Sequence, residues 1–340
     1  MFEHSVLGIL DLICLLSLRS FPSKDPARSV TFQYNSPVTP REIIAKAWAI
    51  TKKERGIRAW GYVGSFFETM LHLKVLLYQI YFFWSFIIVG NTVGLFEIEE
   101  MLYAYLPVEV FATIIIIFLV MFVIEIFLPS LCLGAIIGLS AKSYRKEEVK
   151  GGLVLGLYNF FPLFVLKEAL VLSSVSMAVT FSSLILRYGE NRGLIIFLLC
   201  ALWFLWLFSM MLKFLLSFAE ESVVIRKVST FNAMGKSFKM VISHLSKIVF
   251  LIILLFVISL RILINALMAL LLPALIVGFA FLFSLFLSAT LTVLLTGIIA
   301  VILIGLASYL FAYLEVFKQT AWTITFLELN ALKDLDVIEE

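Results

Sequence analysis

Long apolar stretches separated by short charged ones make up most of the chain. A bilayer's hydrocarbon core of about 30 Å takes roughly 20 apolar residues as a helix. On that measure the pattern predicts spans at 74–96, 108–128 (extensible to 139), 160–186 and 193–218. Residues 248–317 then form an almost unbroken apolar run, too long for two plain spans. Pro273 is its natural break, because an interior proline removes a helical hydrogen bond. The expectation is two spans, 248–271 and 291–317, with PALIVGFAFLFSLFL between them as a partly inserted hairpin or short helix. A seventh span there is the alternative. The fold class is all-α, a polytopic transmembrane helix bundle of about six spans.

Two polar stretches carry helical periodicity of a different kind. In TPREIIAKAWAITKK, Thr39, Pro40 and Glu42 fall at N-cap, N1 and N3, a capping-box arrangement, and Ile43, Ile44, Ala47 and Trp48 form an apolar stripe. After Ser229, a second plausible N-cap, Met234, Phe238, Val241, Ile242 and Leu245 recur at helical spacing. Asn232, Lys236, Lys239, Ser243 and Lys247 take the other face. Each stretch reads as a basic amphipathic helix lying in the membrane interface and leading into a span. Thr39 to Trp48 superposes on Ser229 to Phe238 without gaps, and VKGGLVLGLYNFF is a weaker copy before the third span. The chain therefore divides into repeat units at 39–148, 149–228 and 229–325, with an N-terminal interfacial segment 1–38 and a tail 326–340. Residues 1–20 mimic a signal peptide, but Glu3 and Asp11 interrupt that pattern and its apolar part is too short to span.

Charge placement orients the bundle. Residues 19–58 hold nine Lys and Arg, whereas FEIEEMLYAYLPVE has four Glu and no base. The later loops alternate accordingly, with bases in SAKSYRKEEVKGG and in the segment after 218. Because Lys and Arg accumulate on the cytoplasmic side, both termini are expected in the cytoplasm of a cell-membrane protein. Composition agrees with a lipid solvent. The chain is 62% apolar and 14% charged, against about 45–50% and about 25% for soluble domains. Cys14, Cys132 and Cys200 lie in apolar segments with neither disulfide nor zinc spacing, so no metal or cofactor is expected. No basic run with interleaved aromatics points to nucleic acid.

Ionisable residues inside spans are costly and face the bundle interior. Glu125, Arg261 and Asn265 form the candidate intramembrane polar site, either as an anion or headgroup pathway or as a structural Glu125–Arg261 salt bridge. Lys167, Glu168 and Lys213 are read as separately partnered or reaching to the interface. Lys46, Lys52, Lys236, Lys239 and Lys247 are candidate contacts to anionic lipid headgroups. GNTVG, GAIIG and GLVLG carry small residues four apart, a spacing that lets helices approach closely within the bundle. His4, His72 and His244 have no ligand-spaced neighbours, and no Ser-His-Asp set, P-loop or dinucleotide fingerprint is present.

Ala233, Ser237, Phe238 and the run from Lys247 to Leu255 carry a resemblance, as does SYLFAYLEVFKQTAWTITFLEL. Residues 200–330 resemble a loose group of prokaryotic six-helix integral membrane proteins of uncharacterised function. That group is related to the membrane domain joined to some glycerophosphodiester phosphodiesterases. The resemblance implies a six-helix membrane fold and carries no catalytic domain with it. The expected function is non-enzymatic: organising lipid, or serving as a scaffold or accessory subunit of a membrane complex with protein partners. The alternative is a transporter or channel-like subunit for a small or lipid-like anionic solute.

Overall fold

The computed structural model describes residues 39–336, except 92 and 190, and leaves undescribed the side chains of residues 254, 257–270, 272–273, 310 and 332–336. The expected N-terminal interfacial segment, 1–38, lies outside the described residues, as does the end of the tail. The helices are α1 (Pro40–Lys53), α2 (Arg55–Trp84, widening into a π turn at Ser85–Val89), α3 (Glu97–Tyr105), α4 (Val108–Tyr144), α5 (Gly152–Ala169), α6 (Val175–Tyr188), α7 (Arg192–Leu215), α8 (Ala219–Arg226), α9 (Thr230–Ser243), α10 (Leu245–Ser284) and α11 (Ala289–Asp336). There is no strand among the described residues. Five helical segments are long and apolar enough to cross a membrane: Arg55–Val89, Val108–Tyr144, Gly152–Ala169, Arg192–Arg226 and Ala289–Ala331. The chain is a multi-pass all-α membrane protein.

Several expected boundaries move. The first span begins not at Lys74 but at Arg55, because the charged residues of α2 find partners and do not interrupt its hydrogen bonds. Pro129 lies inside α4 and Pro162 inside α5 without ending either helix. Pro273 does not divide the last apolar run. PALIVGFAFLF continues α10 to Ser284, and a short turn then starts α11. In lipid, neighbouring helices and side chains make up for the hydrogen bond a proline removes. The breaks fall elsewhere. The third apolar segment is interrupted between α5 and α6, where Ser173 Oγ donates to the Leu170 carbonyl and Ser174 Oγ caps the Met177 N–H. VKGGLVLGLYNFF forms no separate interfacial helix: its apolar part is the start of α5.

The tertiary core sits at one end of the bundle. In α4, Val108–Ile124 contains no buried residue, whereas nearly every residue from Pro129 to Ala141 is buried. In α11 burial is sparse before Ala312 and nearly continuous from there to Asn330. The same end holds α1, α8 and α9. Two of the small-residue motifs join there. A Cβ on Gly156 would lie 2.6 Å from the Leu131 carbonyl oxygen, and one on Gly134 would lie 3.4 Å from the Gly156 Cα. GAIIG and GLVLG thus press α4 and α5 together within one chain. Apolar attraction gives little in lipid, so such close backbone contact supplies the packing.

The two amphipathic helices correspond closely. α1 and α9 have 14 residues each, and a single residue, Glu54 or His244, separates each from the long helix that follows. Ile43, Ala47 and Thr51 are buried in α1, as are Ala233, Ser237 and Val241 in α9. The register is offset by 190 positions and continues into the long helices, where Gly61 and Ser65 match Leu251 and Leu255, all four buried. The same offset sets EIFLPS (125–130) on EVFKQT (315–320). The apolar stripe of α9, expected to lie in the interface, divides between protein and surroundings. Val241 is buried, but Phe238, Ile242 and Leu245 are open, because the small faces of Ala233 and Ser237 allow the closer approach to α8.

Candidate functional site

Of the expected intramembrane trio, only Glu125 has a described side chain. Arg261 and Asn265 lie in α10 among residues whose side chains are outside the description. Glu125 is buried and has a cation of its own. Lys74 Nζ donates to both carboxylate oxygens, at 2.7 and 2.9 Å, and lies 4.5 Å from the centre of the Phe118 ring. The pair ties α2 to α4. A buried carboxylate away from water needs such compensation.

A larger polar group lies where α5 ends and α8 begins. Lys167 of α5 donates to Glu68 of α2 at 3.2 Å, and each side chain is a little over one-third exposed. Glu220 of α8 lies within electrostatic reach of Lys167, Glu68, Lys213 and Glu315. Glu315 and Lys318, one turn apart on α11, pair at 3.5 Å. Glu221 is 1% exposed; its Oε1 accepts from Gln319 Nε2 at 3.0 Å, and its Oε2 has no partner. Five helices therefore contribute: α2, α5, α7, α8 and α11.

Local sequence explains how the acidic doublet arrives there. α7 stops at Leu215, and the chain turns before α8 opens at Ala219. A broken helix exposes backbone groups that must be satisfied. Ser237 of α9 does this: the Phe218 N–H donates to its Oγ at 3.0 Å, and its hydroxyl donates to the Leu215 carbonyl at 3.0 Å. Glu220 and Glu221 then occupy the first turn of α8, where the helix dipole favours negative charge.

Lys167, expected to be separately partnered, pairs with Glu68, whereas Glu68, Glu220, Glu221, Glu315 and Lys318 are not among the expected site residues. The recurrence of Glu-Ile/Val-Phe at 125 and 315 was the available signal. Among the described residues, no group of three or more His, Cys, Asp or Glu side chains is arranged to hold a metal ion.

The expected headgroup contacts divide. Lys52, Lys236, Lys239 and Lys247 are exposed. Lys46 turns inward instead, donating to the Tyr144 hydroxyl at 3.2 Å and lying 3.7 Å from Glu328. Partial burial pulls the Lys46 ammonium down, but Tyr144, Glu328 and Glu42 outweigh it and hold the group above its ordinary value.

No protein-family model, curated protein or solved structure matches this chain.

Proposed function

We propose that this chain is a non-enzymatic carrier-type membrane protein for a small charged solute. The polar group around Lys167 and Glu220 is its binding site, and Glu221 is the residue that exchanges a proton. The observation that carries this reading is the bare Glu221 Oε2, buried against Gln319 and next in sequence to Glu220, which itself lies among the charges of Lys167, Glu68, Lys213 and Glu315. It is a free acceptor, open to a proton or to a donor group on a solute. Interrupted helices between repeated units support the same reading, because carriers build their sites at such places. The charge pattern favours a cell membrane with both termini in the cytoplasm.

Proteoliposomes loaded with a pH-sensitive dye test the proposal. Imposing a pH gradient should give proton flux above that of empty liposomes. Glu221→Gln keeps the bond from Gln319 and should slow the flux at least about tenfold. A wild-type flux equal to the background, or one unchanged by the substitution, would overturn it.

A second reading, that of a lipid-organising scaffold, rests on α9. Phe231 is 84% exposed there, with Phe238 and Ile242 also open and Lys236 and Lys239 on the surface. That face suits a bilayer interface with anionic headgroups. Stoichiometric protein subunits co-purifying in nanodiscs would favour it over the carrier.

A further inference from the structure

A second site lies apart from the carboxylate cluster, at the end of the bundle where α4, α8 and α11 finish. A cleft of about 410 Å³ is lined there by Tyr144, Arg145, Ile225, Arg226, Glu328 and Asn330, among others. Its size falls within the range of about 300–1,000 Å³ typical of small-ligand sites. We infer that this cleft binds a phosphate-bearing anion through Arg145 and Arg226, the phosphate being that of a lipid headgroup or of a free ion.

The charge balance is the first support. Glu328 is the only acid lining the cleft, and it is already engaged by the Tyr144 hydroxyl and by Lys46. Arg145 is exposed, and its side chain has no hydrogen bond or ion pair among the described residues. Arg226 gives one N–H to the Asn330 side-chain oxygen and lies 5.8 Å from the centre of the Phe326 ring. A guanidinium has five donors, so four remain on a group already oriented by its neighbours. With Lys46 counted, three cations face one carboxylate. Arginine's planar fork matches the geometry of phosphate.

The backbone is the second support. Each arginine is followed by a lysine in the left-handed region, Lys146 at φ 59° and Lys227 at φ 52°. These are the only non-glycine residues among those described with positive φ, a conformation that costs about 1–2 kcal/mol outside glycine. Strain of this kind persists where surrounding structure imposes it, and it concentrates at binding sites. At the end of α4 the tight turn also closes the helix. The Arg145, Lys146 and Glu147 N–H groups donate to the carbonyls of Ala141, Ser143 and Lys142. The helix end therefore does not leave those carbonyl oxygens bare to repel an anion.

The test uses the full chain in nanodiscs with two probes: inorganic phosphate by titration, and vesicles of phosphatidylcholine with or without phosphatidic acid, read by native mass spectrometry. Arg145→Gln is the primary variant, since no hydrogen bond or ion pair among the described residues depends on the Arg145 side chain. It should weaken binding at least about tenfold, the loss expected for one charged hydrogen-bonded contact. Arg226→Lys keeps the charge but loses the fork, and should weaken binding as well. Retention of phosphatidic acid with no response to inorganic phosphate would assign the site to a lipid. Binding of inorganic phosphate alone would assign it to a soluble anion. If neither probe binds, or if both variants bind like the wild type, the inference is wrong.

Discussion

At the middle of α1 the buried small residue is Ala47, and at the same place in α9 it is Ser237. The two modules, α1 with α2 and α9 with α10, share the length of their amphipathic helix, the one-residue hinge and the buried register. Their anchoring differs. Ala47 is fully buried and brings no polar side-chain group, and α1 is held to α11 partly through Trp48, whose ring meets Phe317 edge-on at 5.7 Å. Ser237 instead bridges the two backbone ends of the break between α7 and α8. The caps differ too. Thr39 and Glu42 make both bonds of a capping box, whereas Ser229 makes no side-chain cap bond. One helical register has thus been put to two uses: an apolar brace in the first module, and in the second a polar clasp that makes a helix break tolerable beside the acidic doublet.

Substitutions can break this comparison in a defined order. Ser237→Ala should have the largest effect, because it leaves the Phe218 N–H and the Leu215 carbonyl without their partner in a buried place. A loss of about 2–4 kcal/mol is expected, read as thermal unfolding in nanodiscs. Ala47→Ser should change stability by less than about 1 kcal/mol, since a mid-helix hydroxyl can return its bond to the preceding turn, as Thr51 does to the Ala47 carbonyl. Equal effects at the two positions would remove the distinction between brace and clasp.

Next comes the start of the long helices. Gly61→Leu gives the first module the residue that Leu251 supplies to the second. A Cβ at Gly61 would already lie 2.2 Å from Val316 Cγ2, with the Ala312 carbonyl oxygen at 3.4 Å. A cost of about 1–3 kcal/mol is expected for this overpacking. An unchanged melting temperature would mean that α2 and α11 separate more easily than their contact suggests. The smallest difference is at the caps. Thr39→Ala should cost about 1 kcal/mol, and Ser229→Ala only a few tenths, measured side by side. A larger loss at Ser229 would show a cap forming in solution.

The candidate site was only partly legible. Glu125 stood out because one acid sits in an otherwise apolar run, and hydropathy detects such a residue readily. Its partner did not, because Lys74 lies 51 positions away, at what looked like the edge of a span. Glu68, Glu220 and Glu315 each flank apolar stretches, and flanking charges resemble ordinary interfacial ones. Only the packing of α2, α5, α8 and α11 brings them together. For a related reason, the break expected at Pro273 does not form. Proline carries a local penalty visible in any sequence, but whether a helix stops depends on neighbours that can satisfy the freed carbonyl.

Apolar run lengths and the spacing of small and charged residues determined the membrane class, the helical content and the two amphipathic helices with their shared register. Those features depend on transfer free energy and helical periodicity, which are local sums over adjacent residues. The tertiary structure decided which half of each long helix is buried, where the helices break, and which charges meet. The second half of α4 carries more small and polar residues than the first, yet both are apolar enough to sit in lipid, so hydropathy alone does not say that the second half packs on α5. That choice belongs to close contacts such as Gly134 on Gly156, which exist only once both helices are in place.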